Sequence, residues 1–328
     1  MHETLQTGHV VRERYVIREI IGRGGMGSIY LAEDNRLPGR LCAIKEVRQD
    51  NELPEDTRTQ SREQFYREAS VLARLDHPNL PKVSDFFSDE DSDYLVMDYV
   101  PGEDLRTLMN QARRKGSPLP QRDVLAWADQ LADALSYLHG LDPPVIHRDI
   151  KPSNLKITPS GLLKLVDFGL VKQMLPDEVT VTVIQGRGTA LYTPLEQYGG
   201  DTGHTDPRSD IYAFGATLYH LLTNQPPLEA KQRFLRPESL PSPRSLNPAI
   251  DPLLEDAVLW AMALHPDARP QTIDTLRRAL HGHWDSRAFH RTSLEHSLMV
   301  KWLPNEVDRR LAFTVGLLLI VAILASFR

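Results

Sequence analysis

The chain has 328 residues, with 44 acidic and 38 basic side chains and a formal net charge of −6. That length suits a two-lobed unit with an appendage rather than one ordinary domain. The charge balance leaves no strong basic field to hold a nucleic acid. A single cysteine, Cys42, excludes an intrachain disulfide framework and fits a reducing compartment. Beside Ala43 in an apolar stretch, it reads as a small buried hydrophobe rather than a reactive thiol. Residues 1–14 form a polar N-terminal extension without the apolar run of a signal peptide.

The first informative stretch spans residues 15–33. Gly22, Gly24 and Gly27 spell G-x-G-x-x-G, a spacing that dinucleotide folds share. In a dinucleotide site the glycines open a helix. Here residues 28–32 resume a strand-like alternation rich in β-favouring side chains. A strand–glycine turn–strand hairpin can fold over phosphates, offering backbone N–H groups where side chains would collide. Glu46 stands at about the spacing of a ribose-binding acid, so the dinucleotide alternative stays open, although Glu46 directly follows a strand lysine. Residues 41–45 form a short apolar strand ending in Lys45. After a glycine flap that lysine is placed to meet the α- and β-phosphates; the plainer reading is a solvated strand end.

Residues 35–40 read as a turn and residues 50–59 as a polar loop. From Gln60 a helical pattern begins, with Phe65, Ala69, Leu72 and Ala73 at three- and four-residue spacing and Glu68 among them. Asp76-His77-Pro78-Asn79 ends it, which makes His77 a turn or packing residue rather than a metal ligand. Residues 94–100 form a buried strand that runs into a Pro101-Gly102 break. Asp104 suits an N-cap for the next helix or a contact to a ribose or substrate. A helix over residues 122–139 puts Val124, Leu125, Ala128, Leu131, Leu135 and Leu138 on one face, with Trp127 in the core.

Residues 145–157 carry Asp149, Lys151 and Asn154, and an apolar strand over 162–166 leads to Asp167. Strand–loop–strand geometry brings these four groups to one cleft. They suit the transfer of a highly charged phosphoryl group: one carboxylate orients a hydroxyl, the lysine neutralises developing charge, and the amide and second carboxylate hold a divalent metal.

His147-Arg148-Asp149-Ile150-Lys151-Pro152-Ser153-Asn154 and Asp167-Phe168-Gly169 resemble the catalytic loop and metal-binding triplet of protein kinases. Lys151, two places after the aspartate, is the serine/threonine form. Gly24-Gly25-Met26-Gly27 and Arg208-Ser209-Asp210-Ile211-Tyr212 are most similar to the membrane-bound serine/threonine kinases of bacteria, in the eukaryotic-like family. The resemblance implies an α+β, two-lobed fold: a small, mainly antiparallel β lobe with one main helix at about 15–97, a hinge at 98–102 and a mainly helical lobe at 103–283. It implies use of ATP with Mg²⁺, or Mn²⁺ in its place. Asp149 would orient the substrate hydroxyl and Lys151 would stabilise the transferred group. Asn154 and Asp167 would hold the metal, and Lys45 paired with Glu68 would fix the nucleotide. The nucleotide site would comprise Ile21, Gly22, Arg23, Gly24, Gly25, Met26, Gly27, Ser28 and Ile29 of the flap. Ala43, Leu155 and the backbone of Asp98 and Val100 would complete it, with Met97 at the inner end of the hinge.

The resemblance has further implications along the large lobe. Asp210 would accept hydrogen bonds from the catalytic-loop backbone, at the start of a helix that is apolar nearly all round. Kinases end the long segment after the metal aspartate with A-P-E, whereas this chain reads Pro194-Leu195-Glu196, with the proline one place early. Arg269 resembles the buried partner of Glu196. Thr189 resembles the threonine that bonds Asp149 and Lys151. Thr180 or Thr182 would take an activating phosphate that docks on Arg148. The expected partners are proteins with serine or threonine hydroxyls, and self-association would serve trans-autophosphorylation; no nucleic acid is expected. The alternative of another class is a membrane-tethered pseudokinase that acts as a scaffold.

A proline-rich connector is expected over 226–252, then small helices to Gly282, with His281 and His283 at the surface. Residues 284–310 change to a polar, mildly basic linker, and residues 311–327 run without a charge. A helix of that length rises about 25 Å, slightly under a hydrocarbon core of about 30 Å, and Arg309, Arg310 and Arg328 can snorkel to make up the difference. A buried core helix competes at this length, but no polar face is present. The expectation is a single-pass membrane protein whose contact with lipid is residues 311–327. Arginines before the span put the kinase-like part on the cytoplasmic side.

Overall fold

The computed structural model describes residues 4–24, 27–49, 54–89, 92–167, 172–173, 187–198 and 205–283. By internal contacts the chain divides into Met1–Gly282 and His283–Arg328. The expected linker at 284–310 and span at 311–327 lie outside the described residues. Among the described residues, no helix is long and apolar enough to cross a membrane.

The small lobe is an antiparallel sheet in the order β1-β2-β3-β4-β6-β5, built from β1 (Val10–Val11), β2 (Tyr15–Gly24), β3 (Gly27–Asp34), β4 (Leu41–Arg48), β5 (Val83–Asp89) and β6 (Ser92–Asp98). Period-2 alternation decides which side chains face inward. Along β3, Ser28, Tyr30, Ala32 and Asp34 are buried while Ile29, Leu31 and Glu33 are half-buried. Tyr30 and Ala32 join Tyr15, Ile17, Cys42, Ile44 and Val96 in one apolar cluster. Ala43 and Lys45, one step out of phase with Cys42 and Ile44, face the other side. The expected N-terminal extension contributes β1, which pairs with the start of β2.

Helix α1 spans Glu55–Leu72, so the polar loop expected over 50–59 is corrected from Glu55 onward. Pro54 stands just before the first turn, and Glu55 and Asp56 favour the positive end of the helix dipole. The outer half of α1 is exposed, so it carries no apolar period to read. Only Phe65, Glu68, Ala69 and Leu72 are buried.

After β7 (Glu103–Asp104) the large lobe begins with α2 (Leu105–Arg114) and α3 (Gln121–His139). Asp104 caps α2, accepting from the Thr107 N–H at 2.9 Å, as the N-cap reading expects. The expected face of α3 is buried except at Leu125, and Trp127 is half-buried rather than core. His77 stacks on Tyr137 of α3 and accepts from the Asn79 N–H, as a packing residue should.

The catalytic-loop region follows β8 (Val145–Ile146), turns through a 3₁₀ segment at Pro152–Asn154, and continues as β9 (Leu155–Ile157) and β10 (Leu163–Leu165). These two strands pair with each other, and β9 also pairs with β7. β11 (Lys172–Gln173) pairs with β8. After α4 (Arg187–Ala190) and a 3₁₀ turn at Leu195–Gln197 comes α5 (Pro207–Thr223), enclosed on nearly all sides. The expected connector contains two short helices, α6 (Ala230–Leu235) and α7 (Pro243–Leu246). Pro243 at the first turn of α7 starts a helix instead of breaking one. Helices α8 (Pro252–Ala261) and α9 (Ile273–Leu280) complete the lobe.

Candidate active site

The sheet, the 3₁₀ turn and the end of β10 bring the predicted residues to one place. Asp149 Oδ2 accepts from Lys151 Nζ at 2.8 Å and from Asn154 Nδ2 at 2.9 Å; the same amide nitrogen donates to the Asp149 carbonyl at 2.8 Å. Asp149 Oδ1 is buried and has no hydrogen-bond partner among the described residues. Lys151 Nζ also donates to Thr189 Oγ1 at 3.0 Å, so the expected threonine meets the lysine. From the small lobe, Lys45 Nζ reaches Asp167 Oδ1 at 2.5 Å. Glu68, on α1, is buried and accepts from Gln64 at 2.9 Å. Lys45 and Glu68 line one small cavity with Phe65, Ala69 and Leu72.

Burial alone would raise the Asp167 carboxyl, but Lys45, by charge and hydrogen bond, outweighs it with help from Lys151. The carboxylate therefore stays ionised, below its ordinary range. Burial drives His147 the other way for a base, lowering it so that the fully buried ring is neutral.

Two non-glycine residues here hold left-handed backbone, Arg148 at φ 67° and Asp167 at φ 59°. Each costs of order 1 kcal/mol or more and persists only where its surroundings hold it. Asp210 supplies that hold for the loop. Its Oδ2 accepts the His147 N–H at 2.9 Å and its Oδ1 the Arg148 N–H at 2.8 Å. Gln197 Nε2 adds a bond to the Arg148 carbonyl at 3.4 Å.

Sequence reasoning missed the next layer. His139 Nε2 lies 2.9 Å from Asp210 Oδ2, a contact across 71 positions that no local pattern signals. Burial would raise the Asp210 carboxyl, but His139 and the hydrogen bond from the His147 backbone N–H lower it overall. The Tyr192 hydroxyl meets His220 Nδ1 at 2.6 Å with the rings stacked, and Lys156 Nζ donates to the Val100 carbonyl at 2.7 Å.

The remaining predicted residues are placed as follows. Gly22 pairs with Ile29, Arg23 with Ser28 and Gly24 with Gly27 across the β2–β3 hairpin. Ile21 is exposed on β2, and Ser28 is buried. At Gly27 a Cβ would lie 1.9 Å from the Glu46 carbonyl oxygen, so no side chain fits where the flap crosses β4. Ala43 pairs with Met97, and Leu155 is buried at the start of β9. The Asp98 N–H donates to the Lys82 carbonyl at 2.9 Å. Gly25, Met26, Phe168, Gly169, Thr180 and Thr182 lie outside the described residues.

Glu196 and Arg269 meet as anticipated, with Nη1–Oε1 at 2.6 Å and Nη2–Oε2 at 3.0 Å. The early proline leaves that pair formed.

The donor set suits a divalent metal. Asp167 offers carboxylate oxygens, and Asn154, with its nitrogen committed to Asp149, offers Oδ1. Mg²⁺ is commonly held by one or two such protein oxygens together with substrate phosphates. Among the described residues there is no cluster of three or more histidine, cysteine or carboxylate ligands.

Residues 15–297 match the protein kinase domain family. The chain belongs to the protein kinase family. Within it the similarity is to bacterial serine/threonine kinases of the eukaryotic-like type. It is 37% identical over 275 residues to a probable serine/threonine-protein kinase of Streptomyces coelicolor, covering 80% of this chain and 39% of that protein. It is 32% identical over 322 residues to the serine/threonine-protein kinase PrkC of Bacillus subtilis, covering 94% of this chain and 47% of that one. The chain thus spans less than half the length of these relatives. Among solved structures, the kinase domain of PknI from Mycobacterium tuberculosis superposes with a TM-score of 0.64 at 26% identity, over 86% of this chain and 100% of that one. PpkA-294 in its apo form gives a TM-score of 0.67 at 28% identity, over 84% of this chain and 99% of that one. The kinase fold accounts for the lobes and the loop–strand geometry around Asp149 described above.

Proposed function

We propose that this kinase domain transfers the γ-phosphoryl of ATP to serine or threonine hydroxyls of proteins, and that it does so at a membrane. The single observation that carries the catalytic reading is the state of Asp149. One carboxylate oxygen is fixed by Lys151 and Asn154, while the other is a buried acceptor with no donor among the described residues. An orphaned buried acceptor in a native site calls for an explanation, and an incoming hydroxyl supplies one.

In this reading Asp149 orients the attacking hydroxyl and accepts its proton as the bond to phosphorus forms. Lys151, held against Asp149 and Thr189, stabilises charge on the transferred group. Lys45 orients the α- and β-phosphates, with Glu68 supporting it from α1. Asn154 Oδ1 and the ionised Asp167 hold Mg²⁺, which when bound neutralises phosphate charge. The β2–β3 hairpin covers the phosphates with its backbone. Ile21, Ile29, Ala43 and Leu155 enclose the adenine, against the backbone of Asp98 and Val100. A phosphate on Thr180 or Thr182, added by the kinase itself, docks at Arg148, whose buried Nε has no hydrogen-bond partner among the described residues.

The membrane part of the reading rests on the sequence. Residues 311–327 form the span, 284–310 the linker, and the kinase domain lies on the cytoplasmic side. The early Pro194 is the one departure that favours a pseudokinase scaffold; against it, Lys45, Asp149 and Asp167 are all present, and the Glu196–Arg269 pair still forms. The test is incubation of the purified chain with labelled ATP and Mg²⁺ and a generic protein substrate. Phosphoserine or phosphothreonine in the acid hydrolysate supports the proposal, and nucleotide binding without any transfer overturns it.

A further inference from the structure

Helix α2 carries three arginines, Arg106, Arg113 and Arg114, and helix stability does not explain them in the same way; Arg114 lies in the last turn beside Arg113, off the face that Arg106 and Arg113 share. Arg113 lies in the last turn, where a cation favours the helix dipole. Arg106 is the second residue after the Asp104 cap, at the positive end, where the dipole disfavours a cation. The two are seven positions apart and so lie on one face of the helix. Both are exposed, and neither makes a hydrogen bond or ion pair with another described residue. The first turn of α2 contains no acidic residue. The carboxylates just before it are engaged: Asp104 by Thr107, and Glu103 by Gln111 at 2.7 Å.

The surroundings of that face matter. α2 packs on the 3₁₀ turn Pro152–Asn154 of the catalytic loop. The fields of both arginines reach His220, and that of Arg106 also reaches Tyr192; no carboxylate of the described residues acts on either ring. Tyr192 lies three residues beyond Thr189, which bonds Lys151, which bonds Asp149. Burial keeps this Tyr192–His220 pair uncharged, pushing the phenol up and the imidazole down to about 4. Arg106 and Arg113 therefore place two positive charges, without an ion-pair partner among the described residues, on one face of α2 where their fields reach His220.

We propose that Arg106 and Arg113 form a docking surface for acidic residues flanking the acceptor serine or threonine, so that the preferred substrate is an acidic protein segment. Charge complementarity of this kind sets partner choice and encounter more than raw affinity. The inference rests on the kinase reading above for the role of the docked segment, although the surface itself can be tested without catalysis.

The full chain is assayed against peptides that share one threonine acceptor, with glutamate, glutamine or lysine at each flanking position in turn. Binding of the fluorescent peptides is measured in parallel by anisotropy at low and high salt. At one or more positions glutamate should raise kcat/KM over glutamine by about fivefold per arginine engaged, the range of a solvent-exposed ion pair. The advantage should shrink with salt. In Arg106→Gln/Arg113→Gln it should disappear, while the glutamine peptide is phosphorylated as by the wild type. Binding should show the same glutamate preference and the same loss. Equal binding and turnover of glutamate and glutamine peptides, or a preference that survives in the double variant, overturns the docking surface. Selective binding of the acidic peptides with no phosphorylation of any peptide overturns the kinase reading and leaves the surface standing.

Discussion

Arg269 grips Glu196 with two charge-assisted bonds while its own side chain is wholly out of solvent. Its other N–H groups donate to the carbonyls of Ala263, Arg208 and Leu264 at 2.7 to 2.9 Å. Ser209 Oγ donates to Glu196 Oε1 at 2.8 Å. The pair thus fastens the segment after Thr189 to α5 and to the loop before α9. Removing one partner of such a pair leaves an uncompensated buried charge, at a cost of about 3 to 5 kcal/mol. Arg269→Met is expected to lower the unfolding free energy by an amount of that order, with Glu196→Gln milder because a hydrogen-bonding side chain remains. Equilibrium denaturation at neutral pH checks both.

Acid should destabilise the domain in two stages. Burial lowers His220 to about 4, and His77 and His147 are lowered for the same reason. The unfolded chain then binds more protons than the folded one below about 6.5, the ordinary histidine value. Stability is therefore full above that value and falls as pH drops from about 6.5 toward 4. His220→Gln retains an acceptor for Tyr192 and should flatten this part of the profile. Asp210 and Asp167 act lower. Their folded carboxyls are depressed, so the stability they add is present above about 3.9 and lost as pH falls through their folded values. Asp210→Asn should weaken the domain at pH 7 and reduce the loss below about pH 4. Denaturant midpoints taken from pH 7.5 to 2.5 measure both slopes.

Cys42 should be inert in the folded protein. It is 1% exposed, and burial pushes the thiol up to about 11, so the reactive thiolate is scarce at neutral pH. The native chain should resist a thiol reagent at pH 8, with one equivalent labelled in denaturant. Rapid stoichiometric labelling of the native protein would show that β4 opens readily.

Legibility in the sequence followed the range of each constraint. Asp149, Lys151, Asn154 and Asp167 were legible because they lie close together in the chain, in two short loops separated only by the β9–β10 hairpin. The β2–β3 flap was legible because glycine spacing and strand alternation are both local. The start of α1 was not, since its outer half is exposed and has no apolar rhythm. The short helices α6 and α7 lie among prolines, which mark a helix start as readily as a break. The contact of His139 with Asp210 and that of Tyr192 with His220 join residues far apart in the chain, and only packing reveals them. Glu196 and Arg269 are equally distant, and were legible only because a family resemblance named both ends.

The membrane proposal has its own measurement. The full chain should sediment with membranes at low and high salt and be released only by detergent, because the uncharged run 311–327, about 25 Å long as a helix, would be held by lipid rather than by charge. A version ending at Gly282 should stay in the supernatant. Recovery of the full chain in the soluble fraction would mean that residues 311–327 are buried in protein.

The central claim is that Asp149 positions the hydroxyl without holding the nucleotide, and Asp149→Asn tests it most directly. The amide keeps the shape and can still meet Asn154, but it cannot accept a proton as the carboxylate does. General-base assistance contributes about 10² to 10⁴ in rate. Transfer from ATP to a protein substrate should fall by at least about a hundredfold in this variant, while ATP affinity measured by calorimetry changes little. Transfer within tenfold of the wild type, at unchanged nucleotide affinity, would contradict the role given to Asp149.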